Sequence, residues 1–229
     1  MAEGVRSVEE LLRSGLAVRG VLVAPQLAEA PRGQLLRSSL EAASVEIAEV
    51  SEKDFRSAAE TDSPQGVIAI GEIPKREFAS LNTEERCRLL VLDGVQDPGN
   101  VGTIIRTAAA LGATATIALP GTVDLWNPKV IRGSMGAQFT HAAFHATTAE
   151  LFRFLERTRI ELWCADAGGE PLSAAPAPPR LAIALGNEGS GLSSDMRSAS
   201  RKTVSLPITS DVESLNVAVA AGIILYQLR

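Results

Sequence analysis

The side chains best suited to chemistry in this 229-residue chain lie in three polar segments, each of which follows an apolar run. They are residues 97–100 with Arg106, residues 186–191, and residues 206–208 leading to residues 213–216. Where a strand passes into a helix, free backbone N–H groups and the helix dipole attract anions and developing negative charge. Three such junctions in one domain predict a single composite site. The chain is therefore expected to be an enzyme whose chemistry lies in its second half.

Arg106 is the cation expected to act in this site. Asp97 is a suitable N-cap and Pro98 a suitable first residue for the helix that carries it. The apolar stripe of that helix is Val101, Ile104, Ile105, Ala108 and Leu111. At 100° per residue Arg106 points away from this stripe, and its neighbours there are the small residues Gly102, Thr103, Ala109 and Ala110. A solvated arginine usually has charged neighbours, so the pattern predicts a functional arginine on a helix that packs on both sides.

The second and third segments also combine backbone and side-chain groups. Glycines in residues 186–191 allow a tight turn and close approach of the backbone to a ligand, and Asn187 and Glu188 favour polar ligand contacts. The order of these glycines differs from their order in a dinucleotide-binding loop. The pattern of residues 214–228 predicts a core helix that is apolar on nearly every face. Its N-terminus is the polar feature that it can present to a ligand. Ser214 is a candidate N-cap, and Asn216 is an unusual residue one turn into a helix.

Composition excludes several classes of protein. Cys87 and Cys164 lie far apart, which indicates a reduced, cytoplasmic protein. No apolar run approaches the roughly 20 residues that cross a bilayer, so no membrane partner is expected. The net charge of −5 argues against a sequence-blind nucleic-acid binder but leaves room for a local basic patch. His141 and His145 lack a third ligand nearby, so no metal is expected.

The remaining elements predict two α/β domains. In the first, strands are expected at residues 18–23, 45–50 and 66–71, and helices at 8–12, 34–42 and 51–59. In the second, strands are expected at residues 88–92, 114–119, 138–144, 160–165, 181–185 and 203–206, and helices at 99–111, 127–134, 148–157 and 214–228. Such alternation predicts a mostly parallel sheet with helices on both faces. The expected boundaries are residues 1–73 and 88–229, joined by a linker at 74–87.

The order and spacing of the three motifs resemble the SpoU (TrmH-type) branch of the SPOUT RNA methyltransferases. The resemblance covers residues 88–229 and rests on residues 97–100 with Arg106, residues 186–188 and residues 214–216. Residues 1–73 resemble the substrate-binding domain, related to ribosomal protein L30e, that often precedes this catalytic domain. Residues 8–12 and 63–66 are its best anchors, and its usual leading strand is expected to be absent before Glu3.

This resemblance implies transfer of a methyl group from S-adenosylmethionine to a ribose 2′-hydroxyl, without a metal, by a homodimer with a C-terminal trefoil knot. Knots are nearly absent from proteins, so no periodicity could have indicated one. The resemblance assigns donor binding to Gly186, Leu206, Ile208, Leu215 and Asn216. It assigns catalysis to Asn100, Arg106, Glu188, Ser214 and Asn216, and contact with RNA to Arg106 and Ser134.

Methyl transfer depends mainly on holding donor and hydroxyl in line. A guanidinium stays protonated in proteins, so Arg106 is interpreted as a stabiliser of phosphate or alkoxide and not as the base. The substrate is expected to be structured 23S rRNA, which the first domain recognises in relatives. The chain also ends directly after the third motif, whereas tRNA-modifying relatives extend further. The alternatives are a tRNA 2′-O-methyltransferase, a catalytically silent RNA-binding factor in ribosome assembly, and an enzyme that uses residues 186–191 to bind a small nucleotide.

Overall fold

The computed structural model of the protein describes residues 1–209 and 214–229. Two compact units are present, Met1–Lys75 and Arg76–Arg229. Within the described residues no helix is long and apolar enough to cross a membrane.

The first unit is a mixed four-stranded sheet with three helices. The strands are β1 (Ala2–Glu3), β2 (Val18–Val23), β3 (Ile47–Glu49) and β4 (Val67–Gly71), in the order β1-β4-β2-β3. The helices are α1 (Val5–Arg13), α2 (Pro31–Ala42) and α3 (Glu52–Ala58), with a 3-10 turn at Pro25–Glu29. Ser51 caps α3 as predicted, since its hydroxyl accepts from Asp54 N.

Two predictions for the first unit need correction. A short leading strand is present, because Ala2–Glu3 pairs antiparallel with β4. The strand expected at residues 45–50 is only three residues long, since β3 pairs with β2 along one edge over residues 47–49. Two-residue and three-residue strands are too short to show an alternating pattern in sequence.

The second unit is built on a six-stranded sheet in which all neighbouring strands are parallel. The strands are β5 (Cys87–Asp93), β6 (Ala115–Ala118), β7 (Ala143–His145), β8 (Glu161–Pro171), β9 (Arg180–Gly186) and β10 (Lys202–Ser205). Their order is β10-β8-β9-β5-β6-β7. The helices are α4 (Pro98–Ala110), α5 (Pro128–Ser134), α6 (Ala137–Thr140), α7 (Thr148–Thr158), α8 (Ser194–Ala199) and α9 (Val217–Gln227).

Helices cover both faces of this sheet, as predicted. Side chains alternate along β5, so Leu90 and Leu92 enter the core formed with α4 and α9, and Leu89 and Val91 enter the core formed with α7 and α8. A strand buried on both faces reads as a continuous apolar run, which is why residues 88–92 were recognisable as a strand.

The strand predicted at residues 138–144 is largely wrong. Ala137–Thr140 is a helical turn, and only Ala143–His145 pairs with β6. Met135 (φ 52°) and Gly136 (φ 94°) both lie in the left-handed region, so they end α5 and redirect the chain into this turn. The short helix α8 was not predicted.

Candidate active site

A cavity of about 510 Å³ lies at the carboxyl ends of β8, β9 and β10. Its described walls come from the ends of these strands and from residues 214–217 with Ala220 and Ile224 of α9. The carboxyl edge of a parallel sheet is where α/β proteins bind their ligands. The volume suits a ligand of nucleotide size.

Seven of the ten predicted site residues line this cavity, which we call the cleft. They are Gly186, Glu188, Leu206, Ile208, Ser214, Leu215 and Asn216. The structure therefore brings the second and third motifs together, although Glu213 of the third motif lies outside the described residues.

Asn100 joins the first motif to the other two by hydrogen bonds. Its Nδ2 donates to Glu188 Oε1 at 2.9 Å, and its Oδ1 accepts from Asn216 Nδ2 at 2.9 Å. Asn100 is held in place because Asp97 caps α4, with its carboxylate accepting from Asn100 N at 2.7 Å, and because Pro98 opens the helix as predicted.

Asn187 lines the cleft, and its side chain also shapes the glycine-rich loop. Its contact with a ligand stays a prediction. Its Nδ2 donates to Gly94 O at 2.8 Å, and its Oδ1 accepts from Gly189 N at 2.8 Å and Ser190 N at 2.9 Å. The loop closes tightly, since a Cβ on Gly186 would lie 2.4 Å from the Gly191 carbonyl carbon. With Asn187 occupied in this way, Glu188 is the side chain of the loop that reaches Asn100.

Asn216 is the N-cap of α9, so the prediction of a helix beginning at Ser214 is wrong. Asn216 Oδ1 accepts from Ala218 N at 2.9 Å and from Val219 N at 3.3 Å. Asparagine is among the strongest N-cap residues, which explains why the helix begins after it. Ser214 lies before the cap as an exposed residue in the wall of the cleft.

Arg106 does not line the cleft of its own chain. It is exposed on α4 and makes no hydrogen bond or ion pair with the described residues. Part of the second face of α4 is covered by α5, because a Cβ on Gly102 would lie 2.7 Å from Val130 O and 2.9 Å from Gly133 Cα. The predicted close approach of a second backbone is thus found at Gly102, while Arg106 stays accessible.

Ser134 cannot contact RNA as expected. Its side chain is completely buried, and its hydroxyl donates to Ile131 O at 2.8 Å. A serine near a helix end often bonds back to the preceding turn, and here that contact removes it from the surface.

Asp166 is a cleft residue that sequence reasoning missed. It follows the buried part of β8, lines the cleft, and pairs with Arg197 at 2.7 Å. Its pKa is lowered chiefly by a hydrogen bond from Gly168 N, with a further contribution from the Arg197 guanidinium. An acidic residue directly after a predicted strand was the signal that could have identified it. Asp166 and Glu188 are the two carboxylates of the described walls, which include no Lys, Arg or His, so the cleft is suited to a cationic ligand.

The two histidines serve separate contacts. His141 is buried with its Nε2 2.9 Å from the Thr116 hydroxyl, and burial lowers its pKa to about 4. His145 Nε2 accepts from Leu125 N at 3.2 Å.

An all-parallel sheet with a nucleotide-sized cleft at its carboxyl edge is the arrangement of α/β enzymes that bind nucleotide-like ligands. The model of the SpoU rRNA methylase family matches residues 88–226, and that of the MRM3-like substrate binding domain matches residues 1–69. The chain therefore belongs to the SpoU rRNA methylase family, and the protein is a methyltransferase.

Relatives and solved structures agree with this family. The chain is 32% identical over 230 residues to the 23S rRNA (guanosine(2553)-2′-O)-methyltransferase RlmP of Bacillus subtilis, covering 100% of this chain and 88% of that protein. It is 34% identical to the 23S rRNA (guanosine-2′-O-)-methyltransferase RlmB of Ralstonia nicotianae, covering 86% and 81% of the two chains. The crystal structure of the SpoU methyltransferase AviRb from Streptomyces viridochromogenes with AdoMet superposes with a TM-score of 0.90 at 29% identity, covering 98% and 87%.

Proposed function

We propose that this protein transfers the methyl group of S-adenosylmethionine to a ribose 2′-hydroxyl of 23S rRNA. The observation that carries the proposal is the hydrogen-bonded set Asn100–Glu188–Asn216, which joins all three motifs beside the cleft. The relatives are named as 23S rRNA 2′-O-methyltransferases, and this chain matches most of their length, which supports the same reaction and substrate.

The residues of the cleft suit the donor. Its walls combine apolar side chains, among them Leu172 and Ile224, with exposed backbone at Gly186 and with the carboxylates of Asp166 and Glu188. Apolar walls fit an adenine ring, and carboxylates favour the positive sulfonium that supplies the activated methyl group. Gly186, Leu206, Ile208, Leu215 and Asn216 are proposed to hold this donor.

The chain's own residues are proposed to position the acceptor. Asn100 fixes Glu188 and Asn216, Ser214 offers an exposed hydroxyl, and the Arg106 guanidinium binds the RNA phosphate or the developing alkoxide. The new C–O bond forms as the C–S bond breaks, and the hydroxyl proton leaves to Glu188 or to water. The positive charge on sulfur disappears in this step, so no metal is included in the proposal.

A homodimer is proposed because the catalytic unit exposes an apolar stripe. Val219 (51% exposed), Ile223 and Tyr226 follow one another on one face of α9, which packs against α4. An exposed stripe of large apolar side chains marks a protein contact, and a second copy of the same surface closes it by two-fold symmetry. Light scattering on the wild type and on Tyr226→Asp tests this: a dimer that the substitution converts to a monomer is expected, and a monomeric wild type contradicts the proposal.

The trefoil knot remains a prediction, because residues 210–213 between β10 and α9 lie outside the described chain. A cytoplasmic location, where rRNA is accessible, is part of the proposal.

The substrate is tested by incubating the purified protein with methyl-labelled donor and total RNA from cells lacking the protein. Label in 23S rRNA at a single 2′-O-methyl nucleotide, mapped by mass spectrometry of nuclease fragments, is the expected result. Label confined to tRNA would show that the substrate is wrong. Donor binding without label in any RNA would favour the catalytically silent assembly factor.

A further inference from the structure

The first unit contains a cavity of its own, separate from the cleft. Its volume is about 370 Å³, and all its lining residues lie between Val5 and Gln65. Two carboxamides, Gln26 and Gln65, share this cavity with apolar side chains such as Leu27 and Pro64. The charged residues in its wall are Glu29 and the ion pair of Arg56 with Glu52. We call it the base pocket, for the reasons that follow.

The two carboxamides offer one acceptor and one donor group. Gln26 Oε1 is closed off from solvent and accepts no hydrogen bond from the described residues. A buried acceptor without a partner is unfavourable, so it points to a donor that arrives with a ligand. Gln65 Oε1 accepts from Val5 N at 2.9 Å, which orients the amide and leaves its Nε2 hydrogens for another acceptor.

The walls of the base pocket are fixed before any ligand binds. Gly66 (φ 73°) brings the Gln65 segment against Leu27, since a Cβ on Gly66 would lie 2.6 Å from Leu27 N. The buried carboxylate of Glu3 holds the preceding loop, accepting from Glu60 N at 2.9 Å and Thr61 N at 3.3 Å. A pocket whose backbone walls need no reorganisation binds a small rigid group at low entropic cost.

The charge of the first unit argues against a phosphate-dominated mode of binding. Residues 1–75 carry 8 basic and 12 acidic residues, a net charge of −4. Five of its six arginines form ion pairs with glutamates. Affinity that comes from phosphates needs unpaired Lys and Arg, so contact of this unit with RNA has to use short-range groups.

We propose that the base pocket receives one unstacked nucleobase of the substrate RNA, with Gln65 Nε2 donating to it and the Gln26 side chain turning so that its Oε1 accepts from it. Carboxamides match the adjacent donors and acceptors on base edges. Sequence-specific recognition of RNA uses bases that have left the stack. The inference rests on the proposed function, because it takes RNA as the substrate and specifies how this unit recognises it.

The test measures binding of the full chain to 23S rRNA transcribed in vitro, by filter binding at several salt concentrations. Gln26→Met keeps the shape of the side chain and removes its hydrogen bonds, and Ala30→Phe fills the pocket from its wall. Gln34→Met is the matched control, since Gln34 lies outside the pocket and its Nε2 donates to Ala28 O. Calorimetric titration with S-adenosylmethionine checks that each variant keeps its donor site.

Both pocket variants are expected to weaken RNA binding about tenfold with an unchanged salt slope, because no phosphate contact is lost. Gln34→Met is expected to match the wild type. Pocket variants that bind within twofold of the wild type overturn the inference, and so does a changed salt slope in Gln26→Met. A different result would contradict the proposed function, namely a wild type that binds donor and RNA but transfers no methyl group to 23S rRNA.

Discussion

Asn216 Nδ2 donates a hydrogen bond to Asn100 Oδ1 at 2.9 Å, across 116 residues of sequence. Each of these amides uses both of its ends. Asn216 Oδ1 caps α9 while its Nδ2 reaches Asn100, and Asn100 Nδ2 in turn reaches Glu188. The starts of α4 and α9 and the loop after β9 are thereby fixed relative to one another. A change in one of these side chains should therefore misplace the other two.

Asn100→Ala is expected to lower turnover about 100-fold, because it removes the contacts that orient both Glu188 and Asn216. The donor dissociation constant should rise less than turnover falls, since Asn100 does not itself line the cleft and acts on the donor only through Glu188 and Asn216. Single-turnover methylation and calorimetric donor titration measure the two quantities. Asn82→Ala, at an asparagine in the loop before β5, is the control. Wild-type turnover in Asn100→Ala would contradict the proposed role.

Arg106→Lys is expected to lose most turnover, by about 100-fold, while donor affinity is retained. Lysine keeps the charge but not the planar pair of N–H groups that binds phosphate or an oxyanion. Arg157→Lys, on the exposed face of α7, is the matched control. The measurement is kcat with saturating RNA and donor. Equal turnover of Arg106→Lys and the wild type would refute the assignment.

The sequence allowed the catalytic fold to be predicted from local patterns, and the resemblance of its motifs to the family indicated most of the cleft residues. Buried parallel strands read as apolar runs, and the cleft residues Gly186 and Leu206 lie at the ends of two of these strands, where Gly186 is the last residue of β9 and Leu206 follows β10. Other features depend on tertiary contacts. Ser134 is buried by packing at the junction of α5 and α6, and the Asn216 amide nitrogen reaches Asn100 across 116 residues of sequence. Asp166 belongs to the cleft only because β8 lies between β9 and β10.

Asp166→Asn is expected to weaken binding of S-adenosylmethionine about tenfold, and to weaken binding of the neutral thioether product less. The carboxylate is ionised at neutral pH because the Gly168 N–H and Arg197 lower its pKa, and only the donor carries a sulfonium charge. Calorimetric titration with both ligands gives the ratio of dissociation constants. Asp195→Asn, on α8 outside the cleft, is the control. An unchanged ratio would exclude an electrostatic role for Asp166.

Asn216→Ala is expected to cost about 1 kcal/mol of unfolding free energy through the lost helix cap, and to abolish most turnover as well. Ser193→Ala is a matched control, since Ser193 caps α8 by accepting from Met196 N but joins no catalytic motif. The two variants should therefore show similar losses in urea denaturation. Only Asn216→Ala should lose activity. Comparable activity in both variants would show that Asn216 acts only as a helix cap.

Protonation of His141 should destabilise the protein as the pH falls from about 6.5 to about 4. Burial lowers the pKa of His141 to about 4 in the folded state, whereas the unfolded value is near 6.5. The unfolded chain therefore binds more protons in this window. The contribution of His141 to stability is fully present above pH 6.5 and is reduced by roughly 2 kcal/mol at pH 5. Urea denaturation at pH 7.5 and pH 5 measures it.

His141→Gln should reduce that pH dependence, because glutamine can keep a hydrogen bond to Thr116 without titrating. The difference between this variant and the wild type isolates the buried ring from the carboxylates, which the two proteins share. If His141→Gln loses as much stability between pH 7.5 and pH 5 as the wild type, the acid sensitivity arises from groups other than this histidine.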